Sequence, residues 1–186
     1  MLSTSDERIV ATDRELPELR VLLDPQSLAA AIAGIPEHRD AVDATIDYVR
    51  YKRGTSCLVR CHFTDGTTRR TAYARTHDAA TSIKLEKAEA NGARRLREHS
   101  LLYVFPRDHE IIGLAAWHDD AARPGLLEAL GASNDDPATA RLLSYKPERR
   151  AVIGVGEPGG PGVSLRFFAR DDYERLVRTP SRFDSR

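Results

Sequence analysis

From Ala41 onward apolar and polar residues alternate. Val42, Ala44, Ile46 and Tyr48 stand between Asp43, Thr45 and Asp47, which predicts a half-buried strand running to Lys52. Arg53-Gly54 turns the chain. Cys57, Val59, Cys61 and Phe63 then make the inner face of a second strand, with Leu58, Arg60 and His62 on the other side. Asp65-Gly66 tolerates positive φ and reads as a hairpin leading into a third strand at about Thr67–Thr76. Upstream the period is helical. Leu16, Leu19, Leu22 and Leu23 form a stripe, and Asp24-Pro25 supplies an N-cap and first-turn proline for a helix carrying Leu28, Ala31 and Ile32. Residues 1–15 are polar and read as a flexible end.

After the third strand, Asp78 is expected to open a helix reaching about His99, with Leu85, Ala88, Gly92 and Leu96 as its stripe. Leu101–Phe105 reads as a short buried strand. Asp108 then caps a helix that packs Ile111, Ile112, Ala115 and Trp117, and Arg123 opens another through Leu126, Leu127 and Leu130. The loop Asn134–Pro137 is the expected module boundary. Three further strands are predicted at about 139–146, 149–156 and 163–170, followed by a helix from Asp171 and a polar tail from Thr179.

The later strands echo the earlier ones. Tyr51-Lys52 and Tyr145-Lys146 each precede a basic turn, and Ala74-Arg75 matches Ala169-Arg170 at the end of the third strand. Two copies are too few for a solenoid. The fold class expected is therefore α+β: two related antiparallel three-stranded meander-plus-helix modules, at residues 16–131 and 135–178.

Composition narrows the function classes. Lys+Arg and Asp+Glu are both 28, and the net charge of zero argues against a general binder of nucleic acid or anionic membrane. No apolar run approaches a membrane span, and Met1–Glu7 lacks the pattern of a signal peptide, so the expected location is cytoplasmic. Cys57 and Cys61, four apart on a strand, share a face about 13 Å apart, too far for a mutual disulfide. They read as small buried hydrophobes. The six histidines show no metal-ligand spacing. Gly154-Val155-Gly156-Glu157-Pro158-Gly159 matches GxGxxG but joins strands, so turn glycines are the better reading. Lys146, Arg149 and Arg150 converge on one tight turn, where a phosphate could be held.

Three segments carry a family resemblance. Tyr51-Lys52-Arg53-Gly54-Thr55-Ser56-Cys57-Leu58-Val59, the Phe105-Pro106-Arg107-Asp108 segment and Tyr145-Lys146-Pro147-Glu148-Arg149-Arg150 fall in the order "RYKPG-x-x-C-L-V", "FPxD" and "YKP-x-R-R". That order resembles the amino-terminal part of aminoglycoside phosphotransferase-like (protein-kinase-like) proteins. The resemblance covers about residues 16–178 and implies a cap module followed by a kinase-like small lobe. It implies that the Pro147–Arg150 turn approaches nucleotide phosphates, and that a third-strand cation pairs with a helix glutamate. The aligned residues are Arg166, where the family carries lysine, and Glu174. The family's His-x-Asp catalytic loop, with Asn five residues on, has no counterpart: five residues before Asn91 and Asn134 stand Glu86 and Ala129.

The expected function is thus the cap and small-lobe portion of a phosphotransferase, not catalytic alone. Its nucleotide- or phosphate-binding residues would be Lys146, Arg149, Arg150, Arg166 and Glu174. ATP and Mg2+ would be cofactors only if a large lobe is supplied by a longer chain or a partner protein. The alternative is a non-catalytic protein- or peptide-binding module, self-associating as a homodimer or adding a strand at a sheet edge. Neither reading includes nucleic acid, membrane or a metal site.

Overall fold

The computed structural model describes residues 2–78, 82–129, 140–156 and 163–178. The chain forms two compact units, Met1–Arg107 and Asp108–Arg186. The division falls at Arg107/Asp108, earlier than the expected loop at 134–137, which lies outside the described residues.

In the first unit α1 (Thr4–Thr12), α2 (Leu19–Leu23) and α3 (Pro25–Ala33) precede β1 (Ala41–Lys52), β2 (Ser56–Asp65) and β3 (Thr68–His77). Then come α4 (Ser82–Ala90), β4 (Arg94–Arg97) and β5 (Ser100–Val104). The strands form one antiparallel sheet in the order β1-β2-β3-β5-β4. Alternation along β2 and β3 sends Cys57, Val59, Cys61, Phe63, Ala72 and Ala74 to one face, where they join Leu16, Leu19, Leu22, Leu28 and Ile32 in a core. Leu22, Leu28 and Ile32 are wholly buried, and burial of each such side chain contributes about 1.5–3 kcal/mol. Asp24 caps α3 as its sequence predicts, accepting from the Ser27 N–H at 3.0 Å and the Ser27 hydroxyl at 2.7 Å.

Two expectations fail here. Residues 4–12 are helical, because Ser3 accepts from the Asp6 N–H and caps the first turn. Ile9 and Val10 then rest against the core. The helix expected to reach His99 stops at Ala90, and Arg94–Arg97 is strand. Gly92 ends it: its φ is +91°, and the Ala93 N–H turns back to the Ala88 carbonyl at 3.0 Å. A Cβ on Gly92 would also collide with Arg107 Nη1. The arginine can swing aside, but the backbone strain stays. Gly92→Ala is expected to destabilise the first unit by about 1–2 kcal/mol, seen as a lower urea midpoint in far-ultraviolet circular dichroism.

The second unit runs α5 (Gly113–Trp117), α6 (Arg123–Ala129), β6 (Arg141–Lys146), β7 (Arg150–Val155), β8 (Val163–Phe168) and α7 (Arg170–Arg178). Its sheet is antiparallel in the order β6-β7-β8. In both units helices, a three-stranded meander and a further helix follow one another. Tyr145, Ala151, Ile153, Val155 and Leu165 are buried on one sheet face, and Ile111, Leu114, Trp117 and Leu127 are buried in and before the helices. The Trp117 and Phe167 rings, 6.3 Å apart, show α5 against β8. Ile112, expected in the core, is 81% exposed: α5 begins only at Gly113, and the turn before it points Ile111 inward and Ile112 out. Among the described residues no helix is long and apolar enough to cross a membrane.

Candidate functional site

The basic turns after β1 and β6 are built alike. The Thr55 N–H donates to Lys52 O at 3.0 Å, and the Arg149 N–H to Lys146 O at 3.1 Å. Gly54 holds φ +62° and Glu148 φ +59° at the same turn position. Pro147 occupies the preceding position, whose φ suits proline, as in a type II turn. Left-handed backbone costs a non-glycine residue about 1 kcal/mol or more, so Glu148 needs compensation that Gly54 does not.

That compensation is an upstream aspartate. Asp108 Oδ2 accepts from the Tyr145 hydroxyl at 2.7 Å and the Glu148 N–H at 3.0 Å. Its Oδ1 accepts from the Glu110 and Ile111 N–H groups at 2.8 and 2.9 Å. Asp13 does the same in the first unit, with Tyr51 at 2.7 Å, Gly54 N–H at 2.8 Å and Glu15 N–H at 3.1 Å. Burial would raise the Asp13 pKa, yet these donors outweigh it and hold the carboxyl below its ordinary value. Tyr51 is pushed up to about 12 by burial and by its bond to Asp13. Sequence reasoning missed both aspartates as turn anchors. The signal was present: Asp13-Arg14-Glu15-Leu16 and Asp108-His109-Glu110-Ile111 stand as far apart as the two turns do, to within one residue.

Ladder partners share a sheet face, which places the expected phosphate ligands. Lys146 lies opposite Arg150, and Arg150 opposite Phe168. Val152 lies opposite Ser144 and Arg166, and Gly154 opposite Arg141 and Ser164. One face therefore carries Arg141, Lys146, Arg150 and Arg166, all exposed, with the hydroxyls of Ser144 and Ser164 and the Leu143 side chain, which lies over Gly154, among them. Arg149 is exposed in the turn itself. None of these ladder positions on that face is acidic. In water two like charges 4 Å apart repel by only about 1 kcal/mol, so the sheet tolerates the cluster, and an anion placed over it meets several donors together.

Glu174 is placed otherwise. Its Oε1 lies 3.6 Å from Arg170 Nε, one turn back on α7. The structure thus gathers Lys146, Arg150 and Arg166, adds Arg141, and engages Glu174 along its own helix.

The ladders also correct the matching of the third strands. Leu58 pairs with Arg75 and Val152 with Arg166. Since Tyr51 pairs with Cys57 as Tyr145 does with Ala151, Leu58 corresponds to Val152 and Arg75 to Arg166. The Ala-Arg likeness of Ala74-Arg75 and Ala169-Arg170 falls four residues off, because the matching text sits beyond the end of β8.

No family model, curated protein or solved structure matches the chain.

Outside that face, Asp47 joins three strands of the first unit. It takes Arg60 Nε and Nη2, both at 2.7 Å, and His62 Nε2 at 3.0 Å, while His62 Nδ1 meets Thr71 Oγ1 at 3.1 Å. Burial raises the Asp47 pKa, but Arg60 and His62 together hold it below the ordinary value. A carboxylate satisfied by a bidentate arginine and an imidazole that bridges to a neutral hydroxyl make a cross-strand polar ladder. Cys57 and Cys61 are free and fully buried, and burial pushes both thiols up to about 12, which leaves them unreactive at neutral pH. Among the described residues no group of three or more His, Cys, Asp or Glu could hold a metal ion.

Proposed function

We propose that the second unit is a phosphate-binding, small-lobe-like module of a phosphotransferase-like protein, not catalytic by itself. The observation that carries this reading is the convergence of Arg141, Lys146, Arg150 and Arg166 on one exposed sheet face without a carboxylate among its ladder positions. Arginine forks suit phosphate oxygens because two N–H groups bond in parallel. Lys146 adds a compact charge beside the turn, and Ser144 and Ser164 can donate hydroxyl bonds. Asp108 keeps the turn in the shape that sets Lys146 opposite Arg150. The Arg166–Glu174 pairing that the family resemblance implies is not needed for this reading; Glu174 lies 3.6 Å from Arg170 on its own helix. In it the protein works in the cytoplasm, where its two free cysteines stay reduced. ATP and Mg2+ would complete the site only with a large lobe present.

Calorimetric titration with ATP and with inorganic tripolyphosphate tests this. Wild-type protein is expected to bind both, more weakly as salt rises. Arg150→Ala and Arg166→Ala should each weaken binding by about tenfold or more, since a bond to a charged group contributes about 1.5–3 kcal/mol. Arg166→Lys, which keeps the charge but loses the parallel pair of donors, should fall between wild type and Arg166→Ala. A folded protein that binds neither anion, or whose binding ignores both alanine variants, would refute the reading.

A further inference from the structure

We propose that the outer edge of β8 is a docking edge for an extended apolar polypeptide strand, added antiparallel as β5 is added to β3. The inference rests on the likeness of the two units and not on phosphate binding, so either can fail alone. The anchored turns and the ladders set Ala72–Thr76 of β3 against Val163–Phe167 of β8. In the first unit that stretch is not an edge. Ala72 pairs with Val104, Tyr73 with Tyr103, Ala74 with Leu102, Arg75 with Leu101 and Thr76 with Ser100. In the second unit, β7 is the only ladder partner of β8 among the described residues. A strand edge presents a row of main-chain donors and acceptors, a template for one more strand.

The helices point the same way. In the first unit α4 lies against β4 and β5 and buries Leu85 and Ala88. α7 follows β8 as α4 follows β3, yet its Tyr173 is 56% exposed, and Val163 at the start of β8 is 37% exposed. An apolar strand beside β8 would give Val163 a cross-strand neighbour. The first unit also defines the occupant's chemistry. Leu101, Leu102 and Tyr103 of β5 are all buried, so that strand is apolar on both faces. The occupant proposed is a strand of that chemistry carried by a separate polypeptide.

The test uses the 186-residue protein and a labelled peptide copying Arg94–Phe105. Hydrogen exchange is read by mass spectrometry, and native Trp117 emission certifies that the second unit is folded. Saturating peptide is expected to slow exchange at Val163–Phe168 by about tenfold or more. A scrambled peptide of the same composition should have no effect. Ser164→Lys, a charge on an exposed edge position, should weaken peptide binding severalfold while leaving Trp117 emission unchanged. The proposal is overturned by unchanged exchange at β8, by slowing confined to the first unit, or by equal slowing with the scrambled peptide. Protection of β8 that instead follows protein concentration, through pairing with a second copy, would overturn it too.

Discussion

Asp108→Ala is expected to unfold the second unit at a much lower urea concentration than wild type, with a loss of about 2–4 kcal/mol. One carboxylate there accepts from the Tyr145 hydroxyl and from the N–H groups of Glu148, Glu110 and Ile111. Removing it strands several partly buried donors at once, and each unmet donor costs about 1–3 kcal/mol where water cannot replace the acceptor. Partial access to water keeps the total below the sum of four such losses. Glu148 makes the position more sensitive, because its left-handed backbone at φ +59° loses the bond that offsets its strain. The chain has a single tryptophan, Trp117, buried in this unit, so its emission follows the unfolding of this unit directly. Tyr145→Phe removes one bond and should cost about 1 kcal/mol. If Asp108→Ala cost no more than Tyr145→Phe, the carboxylate would not be the anchor of the turn.

The second large effect belongs to Asp13, and it depends on pH. Asp13 is only 6% exposed and receives the Tyr51 hydroxyl and the Gly54 and Glu15 N–H groups. Its pKa in the folded protein lies below the ordinary 3.8, because those bonds outweigh the effect of burial. A carboxylate depressed on folding stabilises the native state fully above its unfolded pKa. That stabilisation drains away as pH falls through the folded value. Asp13→Ala should therefore cost the first unit about 2–4 kcal/mol at pH 7, and less as pH falls through the folded pKa, where wild type gives up the part of that contribution that the ionised carboxylate supplies. Asp24, held at about 2 chiefly by the Ser27 hydroxyl, and Asp47 are depressed as well, so some acid sensitivity remains in the variant. Urea titrations at pH 7 and pH 2, followed by amide exchange of the segment from Tyr51 to Cys61, provide the check. A cost that is the same at both pH values would sink the linkage.

Both effects concern residues that pattern reading passes over. Alternation of side chains is local, and it found β1, β2, β3, β6, β7 and β8 to within a few residues. It also found the burial of Cys57 and Cys61, because position along a strand decides the face. The helix over-run past Ala90 came from treating Gly92 as one more small residue in a stripe, where its backbone instead turns left-handed. The amino-terminal helix was missed because its composition is polar and no residue of it is fully buried.

The candidate phosphate face was half legible. Lys146, Arg149 and Arg150 crowd one turn in the sequence, and any turn there brings them close. Arg166 and Arg141 join them only through ladder register, and a slip of one residue would have sent either side chain to the buried face. The third strands were matched through a repeated Ala-Arg pair, whereas hydrogen-bond registers link Arg75 with Arg166.

By itself the sequence determined the α+β class, most of the strands, the inner face of β2 and the capped start at Asp24. These follow from side-chain periodicity and from bonds between near neighbours. Tertiary structure alone decided that Asp13 reaches a turn 41 residues on and Asp108 one 40 residues on. It alone decided that β3 gains β5 as a neighbour, and that four cations share one open face. Such contacts depend on where distant segments meet, and the energy of a carboxylate buried among donors appears only when the chain has brought them together.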